Sequence, residues 1–280
     1  MELKNRLKKT LRNSIRLNIE GKAGLKVGST RFGGQPDLPD AFEWPYYEGE
    51  GFDGETKNRP LSFIAQFNLE EIAAYDTEKS LPQKGLLSFF YETSSMKWGF
   101  DPKDEGCAKV FYFEEISELK TAEFPTELES DFRFPPIKIT AKAEDSYQDF
   151  PDFILKNDKL VKCWEEYDRA AESLKINVPN NSSKLLGWAD IIQGNMTADC
   201  ELVSREYYLG HGWEKVTPQD RQEAIQSSSE NWLLLFQLDS VENDGFELMF
   251  SDCGRIYYYI RKEDLAAKRF DRVWLVLQCC

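Results

Sequence analysis

The sequence predicts an α+β protein, mainly antiparallel β with peripheral helices, built as two related halves from an internal duplication. Three observations carry that expectation. First, short aromatic-rich runs bounded by turn residues recur: "SFIAQFN", "LLSFFYE" and "AKVFYFE", then "WLLLFQL", "RIYYYI" and "VWLVLQ". Second, they fall into two groups separated by a long stretch with helical patterning. Third, the runs correspond in order. "FIAQFN" (63–68) lies over "LLFQLD" (234–239), "GLLSFFYE" (85–92) over "GRIYYYIR" (254–261), and "KVFYFE" (109–114) over "RVWLVL" (272–277). Upstream, "RFGG" (31–34) lies over "KLLG" (184–187). The expected organisation is a single compact domain over 1–280, with halves at about 29–115 and 182–280 joined by a partly helical connector, 116–181.

Taken from the N-terminus, Leu3, Leu7, Leu11 and Ile15 repeat every four residues, which predicts a basic helix over 2–19. Six of the 35 basic residues lie there, so it suits either a membrane or partner surface, or docking on the chain's own acidic body. "RFGGQPDLP", "EWPYYEGEG" and "NRP" make 29–60 a long loop. Residues 61–67 read as a strand, followed by a short helix to Tyr75 with Asn68 as cap and Glu71 as capping-box partner. "PQKG" turns into a strand at 85–92, and another follows at 108–114. The prolines of "FPPIKIT" suggest a short edge piece. Leu160, Trp164, Tyr167, Ala171 and Leu174 share one helical face over 158–175, and "NVPNNSS" is the best boundary. Thr217, Pro218 and Asp220 open a helix. Strands are expected at 231–238, 246–251, 255–260 and 272–279, with tight turns at "NDG" and "CG" and a short helix near 262–269.

Composition narrows the function. With 280 residues, 19 Phe, 12 Tyr and 7 Trp, the chain can bury a large core without metal or disulfide staples. A net charge of −14 repels phosphate backbones and anionic lipid, so neither nucleic acid nor membrane is an expected partner. No apolar run is long enough to cross a bilayer, and the N-terminus lacks the apolar segment and cleavage site of a signal peptide. Six cysteines without a C-x-x-C pair fit a cytoplasmic protein with reduced thiols. Of the adjacent Cys279 and Cys280, one is expected packed and one partly exposed.

Gln66 and Gln237 sit at the same point of two corresponding apolar runs. A buried amide left unmet costs about 1–3 kcal/mol, so matched partners are expected for both. Backbone groups of the "RFGG" and "KLLG" loops are candidates, because glycine lets another chain approach closely. A ligand is the other reading. As a set, "RFGGQPDLP", "PLSFIAQFNL", "LPQKGLLSFFYE", "LLGWADIIQG", "LLLFQLDS" and "CGRIYYYI" resemble the YwqG family, a bacterial domain family of unknown function. The resemblance runs from about residue 29 to 277. It implies an α+β protein with two related halves and an association with toxin systems as an immunity-type binder, and it carries no catalytic residues.

His211, in "YLGHGW", is the only histidine, so any Ser-His-Asp or Cys-His mechanism must run through it. A histidine-rich zinc site is impossible, and neither phosphate-cradle spacing nor an EF-hand frame occurs. No catalytic residue, metal or cofactor is assigned. The leading expectation is therefore a binding module. Its aromatic loop over 42–52, with Trp44 and Tyr46, would engage a basic protein partner. The alternatives are a small-ligand sensor using Arg31, Gly33, Gly34, Gln66 and Gln237, and an enzyme working in a cleft between the halves with His211 or acidic residues.

Overall fold

The structure is a computed structural model that describes residues 2–24, 26–52, 54–161, 163–176 and 182–280. Ten strands form one antiparallel sheet: β1 (Arg12–Lys22), β2 (Arg31–Phe32), β3 (Ser62–Asn68), β4 (Leu86–Tyr91), β5 (Ala108–Phe113), β6 (Ile137–Ser146), β7 (Lys184–Leu185), β8 (Trp232–Leu238), β9 (Arg255–Arg261) and β10 (Trp274–Gln278). Their order across the sheet is β10-β9-β8-β7-β1-β6-β2-β3-β4-β5. The arrangement reads alike from either end: a short strand beside the centre, then three strands in chain order outward.

The two middle strands are the ones the sequence hid. Residues 12–20 are strand, not the continuation of a helix. Ile15, Leu17 and Ile19 are buried while Arg16, Asn18 and Glu20 alternate outward, a period of two that the four-residue leucine spacing masks. The helix stops at α1 (Glu2–Lys8), which docks on the body through fully buried Leu7 and a bond from Lys4 Nζ to Ser173 O at 2.9 Å. "FPPIKIT" is likewise no edge. Its prolines precede the ladder, and β6 pairs with β1 on one side and β2 on the other. The stretch 29–60 also carries more than loop, including the hairpin Tyr46–Glu50 with Thr56–Pro60.

The remaining elements follow local chemistry. Asn68 caps the short helix α2 (Leu69–Ile72) by accepting from Glu70 N, whereas Glu71 accepts from Thr30 N rather than closing a box. The stretch 158–175 divides: α3 (Phe150–Asn157) ends before it and α4 (Trp164–Glu172) occupies its second part. Both pack with Leu7 around Phe153 and Tyr167. Of the expected boundary at 177–183, residues 177–181 lie outside the described residues. Helix α5 (Thr197–Val203), unforeseen in the polar stretch, and α6 (Pro218–Asn231) cover one face of β8, β9 and β10, and α7 (Lys262–Ala266) follows β9. The "NDG" turn has Asp244 and Gly245 both at positive φ, as a tight hairpin needs.

The sheet curls until its halves meet face to face. Phe236 of β8 lies 5.2 Å from Phe67 and 4.8 Å from Phe89, and Tyr258 OH donates to Phe90 O at 3.2 Å. The free edge of β10 is taken up by the segment 98–100: Leu277 N donates to Trp98 O at 3.1 Å and Trp274 Nε1 to Gly99 O at 3.0 Å. Among the described residues, no helix is long and apolar enough to cross a membrane.

Candidate functional site

Each half carries a buried ion-pair node built on its glutamine. After β2 the chain turns through Gly33 and Gly34, both left-handed at φ 58° and 71°. A β-carbon on Gly33 would lie 2.3 Å from Pro135 O, so only glycine fits. The reversal brings Asp37 back beside its own strand. Asp37 Oδ2 then accepts from Arg31 Nη1 at 2.9 Å, Gln66 Nε2 at 2.6 Å and Gly28 N at 2.8 Å, and Oδ1 accepts from Thr121 Oγ1 at 3.1 Å. Gln66 completes its set by donating to Ser29 O at 2.9 Å and accepting from Asp37 N at 3.1 Å. Arg31, Asp37 and Gln66 are almost wholly buried. Burial alone would push the Asp37 carboxyl up; Arg31 and Gln66 outweigh it and hold it below the usual carboxylate range.

The second node repeats this plan. Leu186 and Gly187 turn the chain at φ 60° and 75°. Asp190 Oδ2 meets Lys184 Nζ at 2.6 Å and Gln237 Nε2 at 2.9 Å. Gln237 also donates to Ser182 O and accepts from Asp190 N at 2.9 Å. The partners of both glutamines thus lie just outside the four-residue loops the sequence nominated, at Ser29 and Asp37 and at Ser182 and Asp190. The acidic member was missed. A longer comparison of "STRFGGQPD" with "SSKLLGWAD" would have found it, because base and acid stand six residues apart in both.

The nodes differ in access. Asp37 is sealed, whereas the Asp190 side chain is 25% exposed and its Oδ1 has no hydrogen-bond partner among the described residues. Asp190 lines a cavity of about 170 Å3 together with Arg16, Glu144, Tyr147, Asp149 and Lys184. Arg16 Nη2 pairs with Glu144 at 2.7 Å and its Nη1 lies 3.9 Å from Asp190 Oδ2. Asp149 caps α3 by accepting from Phe150 N and takes Ile191 N at 2.9 Å; burial pushes its carboxyl up despite both bonds. Burial drives the Lys184 ammonium down against the pull of Asp190. Burial would raise Asp190, but Lys184, Gln237 and Arg16 outweigh it and hold its carboxyl below the usual range. Lys184 Nζ also donates to Trp188 O at 3.0 Å, an arrangement suited to holding charge in place rather than to nucleophilic attack. Asp145, Asp168, Trp164 and Tyr167 extend the wall, giving five acids against two bases beside aromatic surface.

The other nominated residues stand elsewhere. Gly34 packs on Pro136, not on an open loop. Trp44 packs edge-on against Phe90 and donates to Leu61 O at 3.0 Å, Phe42 packs on Phe111, and Tyr47 is buried. Tyr46 is half-buried in its hairpin. Of this loop only Phe52 is an exposed large hydrophobic, at 79%. His211 is exposed on Gly210–Trp213 with its ring edge-on to Tyr208 at 5.5 Å. Among the described residues, no group of three or more His, Cys, Asp or Glu is placed to hold a metal ion.

No curated protein matches the chain. A family model described as a domain of unknown function (DUF1963) matches residues 30–279, from the strand that opens the first node to the end of the last strand; the chain belongs to that family.

Proposed function

We propose that the protein is a non-catalytic receptor for a small organic cation, such as an alkylammonium or guanidinium compound, held at the open node. The observation that carries the reading is the contrast between two nodes of one design. The first has no room, and the second leaves an acceptor oxygen of Asp190 unengaged at the wall of a cavity. That cavity is roomy enough to hold several waters, which a cation entering it would release. Its excess of carboxylates favours positive charge, and Tyr147, Trp164 and Tyr167 supply rings for cation–π contact. We read the two nodes as copies from an internal duplication, one kept as a brace and the other opened for binding. The motif resemblance to the YwqG family and the reduced thiols of a cytoplasmic protein fit this reading.

A second reading, immunity-type binding to a basic protein such as a toxin, is favoured by Phe52 standing exposed on an acidic hairpin. Thermal-shift and NMR titrations with butylamine, guanidinium and butyrate separate the two. The receptor reading expects saturable stabilisation by the cations and none by butyrate. It also expects that response to be lost in Asp190→Asn and weakened in Trp164→Ala, whose side chain is half exposed and tolerates truncation. An undiminished response in both variants, or none in the wild type at millimolar cation, overturns it.

A further inference from the structure

Six cysteines are free in the structure, and they are not alike. Cys107, Cys200 and Cys279 are buried, and burial pushes the Cys107 and Cys200 thiols well up, which suppresses the reactive thiolate. Cys163, Cys253 and Cys280 are exposed. Cys163 opens α4 at the far end of the chain's helical layer, whereas Cys253 and Cys280 lie at the same end of the β9–β10 ladder.

That ladder pairs Arg255 with Gln278. The regular ladder ends there, and Cys280 passes against the 252–253 peptide instead of staying in register. The chains do remain in contact there. Cys280 N donates to Asp252 O at 3.1 Å, and a β-carbon on Gly254 would stand 2.9 Å from Cys279 Cβ. With ordinary peptide dimensions, the 3.1 Å bond limits the Cys253–Cys280 Cα separation to about 7.4 Å at full extension. The links of that path are bent rather than collinear, so the separation falls below this limit and within reach of the span a disulfide bridges. Cys253 sits at φ 50° in the turn, so its side chain belongs to a reversing segment and not to the pleat.

We propose that Cys253 and Cys280 form a reversible dithiol–disulfide pair that reacts with small-molecule disulfides of the glutathione type. One thiolate attacks the small disulfide and releases one small thiol, leaving a mixed disulfide. The second protein thiolate attacks the protein sulfur of that bond and releases the other small thiol. The protein loses two electrons and two protons, and the small disulfide becomes two thiols. The product ties the final strand to the turn before β9 and so fastens an edge of the sheet.

The test is exposure of the dilute native protein to excess oxidised glutathione, alkylation, and peptide mapping without reduction. The expected result is a Cys253–Cys280 linked peptide, with glutathione carried on Cys163 alone. Cys253→Ser should turn Cys280 into a stable glutathione adduct, and Cys279→Ser should leave the link unchanged. Separate adducts on both cysteines, unmodified cysteines at both positions, a link through Cys279, or an intermolecular link each overturns the proposal. A raised melting temperature of the oxidised protein, reversed by a reducing thiol, is the second expected readout.

Discussion

Replacing Gln66 by leucine removes an amide while nearly keeping its volume, and the consequence can be worked from its three bonds. Asp37 N loses its partner inside a region that water does not reach, whereas half-buried Ser29 O keeps a long bond from Arg31 Nη1 at 3.4 Å. Asp37 Oδ2 loses one of three donors but keeps Arg31 and Gly28. One orphaned buried amide at about 1–3 kcal/mol, with a weakened carbonyl contact beside it, gives a loss of about 3 kcal/mol, a large part of the 5–15 kcal/mol typical of a folded protein. The same change at Gln237 orphans Asp190 N and Ser182 O, but water reaches the Asp190 side of this node, so a loss no larger than that at Gln66 is expected. Urea unfolding followed by fluorescence and circular dichroism reads both as a lowered midpoint at unchanged slope. A loss under about 1 kcal/mol at Gln66, or a larger loss at Gln237 than at Gln66, refutes the account of a sealed and an open node.

Two further expectations follow from other sites. Asp152 is buried, accepts from Asn195, and is pushed up to about 7 by burial. Because its folded pKa lies above its unfolded value, the native state binds the extra proton, and this group's contribution to stability falls as pH rises from about 4 to about 7. Asp152→Asn should cancel about 3–4 kcal/mol of that fall, visible as a difference between pH–stability curves, and superimposable curves would refute it. Gly99 is left-handed at φ 78° and a β-carbon there would lie 1.9 Å from Leu275 O, whereas Gly212, at φ 73°, has nothing within 4 Å. Gly99→Ala should therefore cost about 3 kcal/mol and speed amide exchange at Leu277, against about 1 kcal/mol for Gly212→Ala.

The strands flanking each glutamine were legible because they are runs of apolar and aromatic residues buried on both faces, bounded by turn chemistry. The centre of the sheet was not. In β1 a two-residue alternation begins only after a true helix turn, and Leu3, Leu7, Leu11 and Ile15 bridge the junction with a spacing that suits a helix. In β6 the prolines before Ile137 mimic an edge although the ladder starts after them. The glutamines drew notice because amides are rare in apolar runs. Asp37 and Asp190 did not, because each stands outside the strand runs, in a loop, and only the left-handed turns carry them back beside the glutamines.

Where the sheet begins and where it is completed lie far apart along the chain. Arg16 and Glu144, partners on the two middle strands, are separated by 128 residues, and Trp188, which donates to Thr10 O, is 178 residues from it. Strand β1 is made long before either neighbour and must therefore wait, unpaired, at least until β6 at 137–146 has been made. One face of β1 carries Arg16, Asn18, Glu20 and Lys22, charged and polar side chains that discourage a waiting strand from pairing with other chains. Closing such distant contacts is entropically slow, so folding of this protein is set by the late arrival of its middle rather than by its aromatic hairpins.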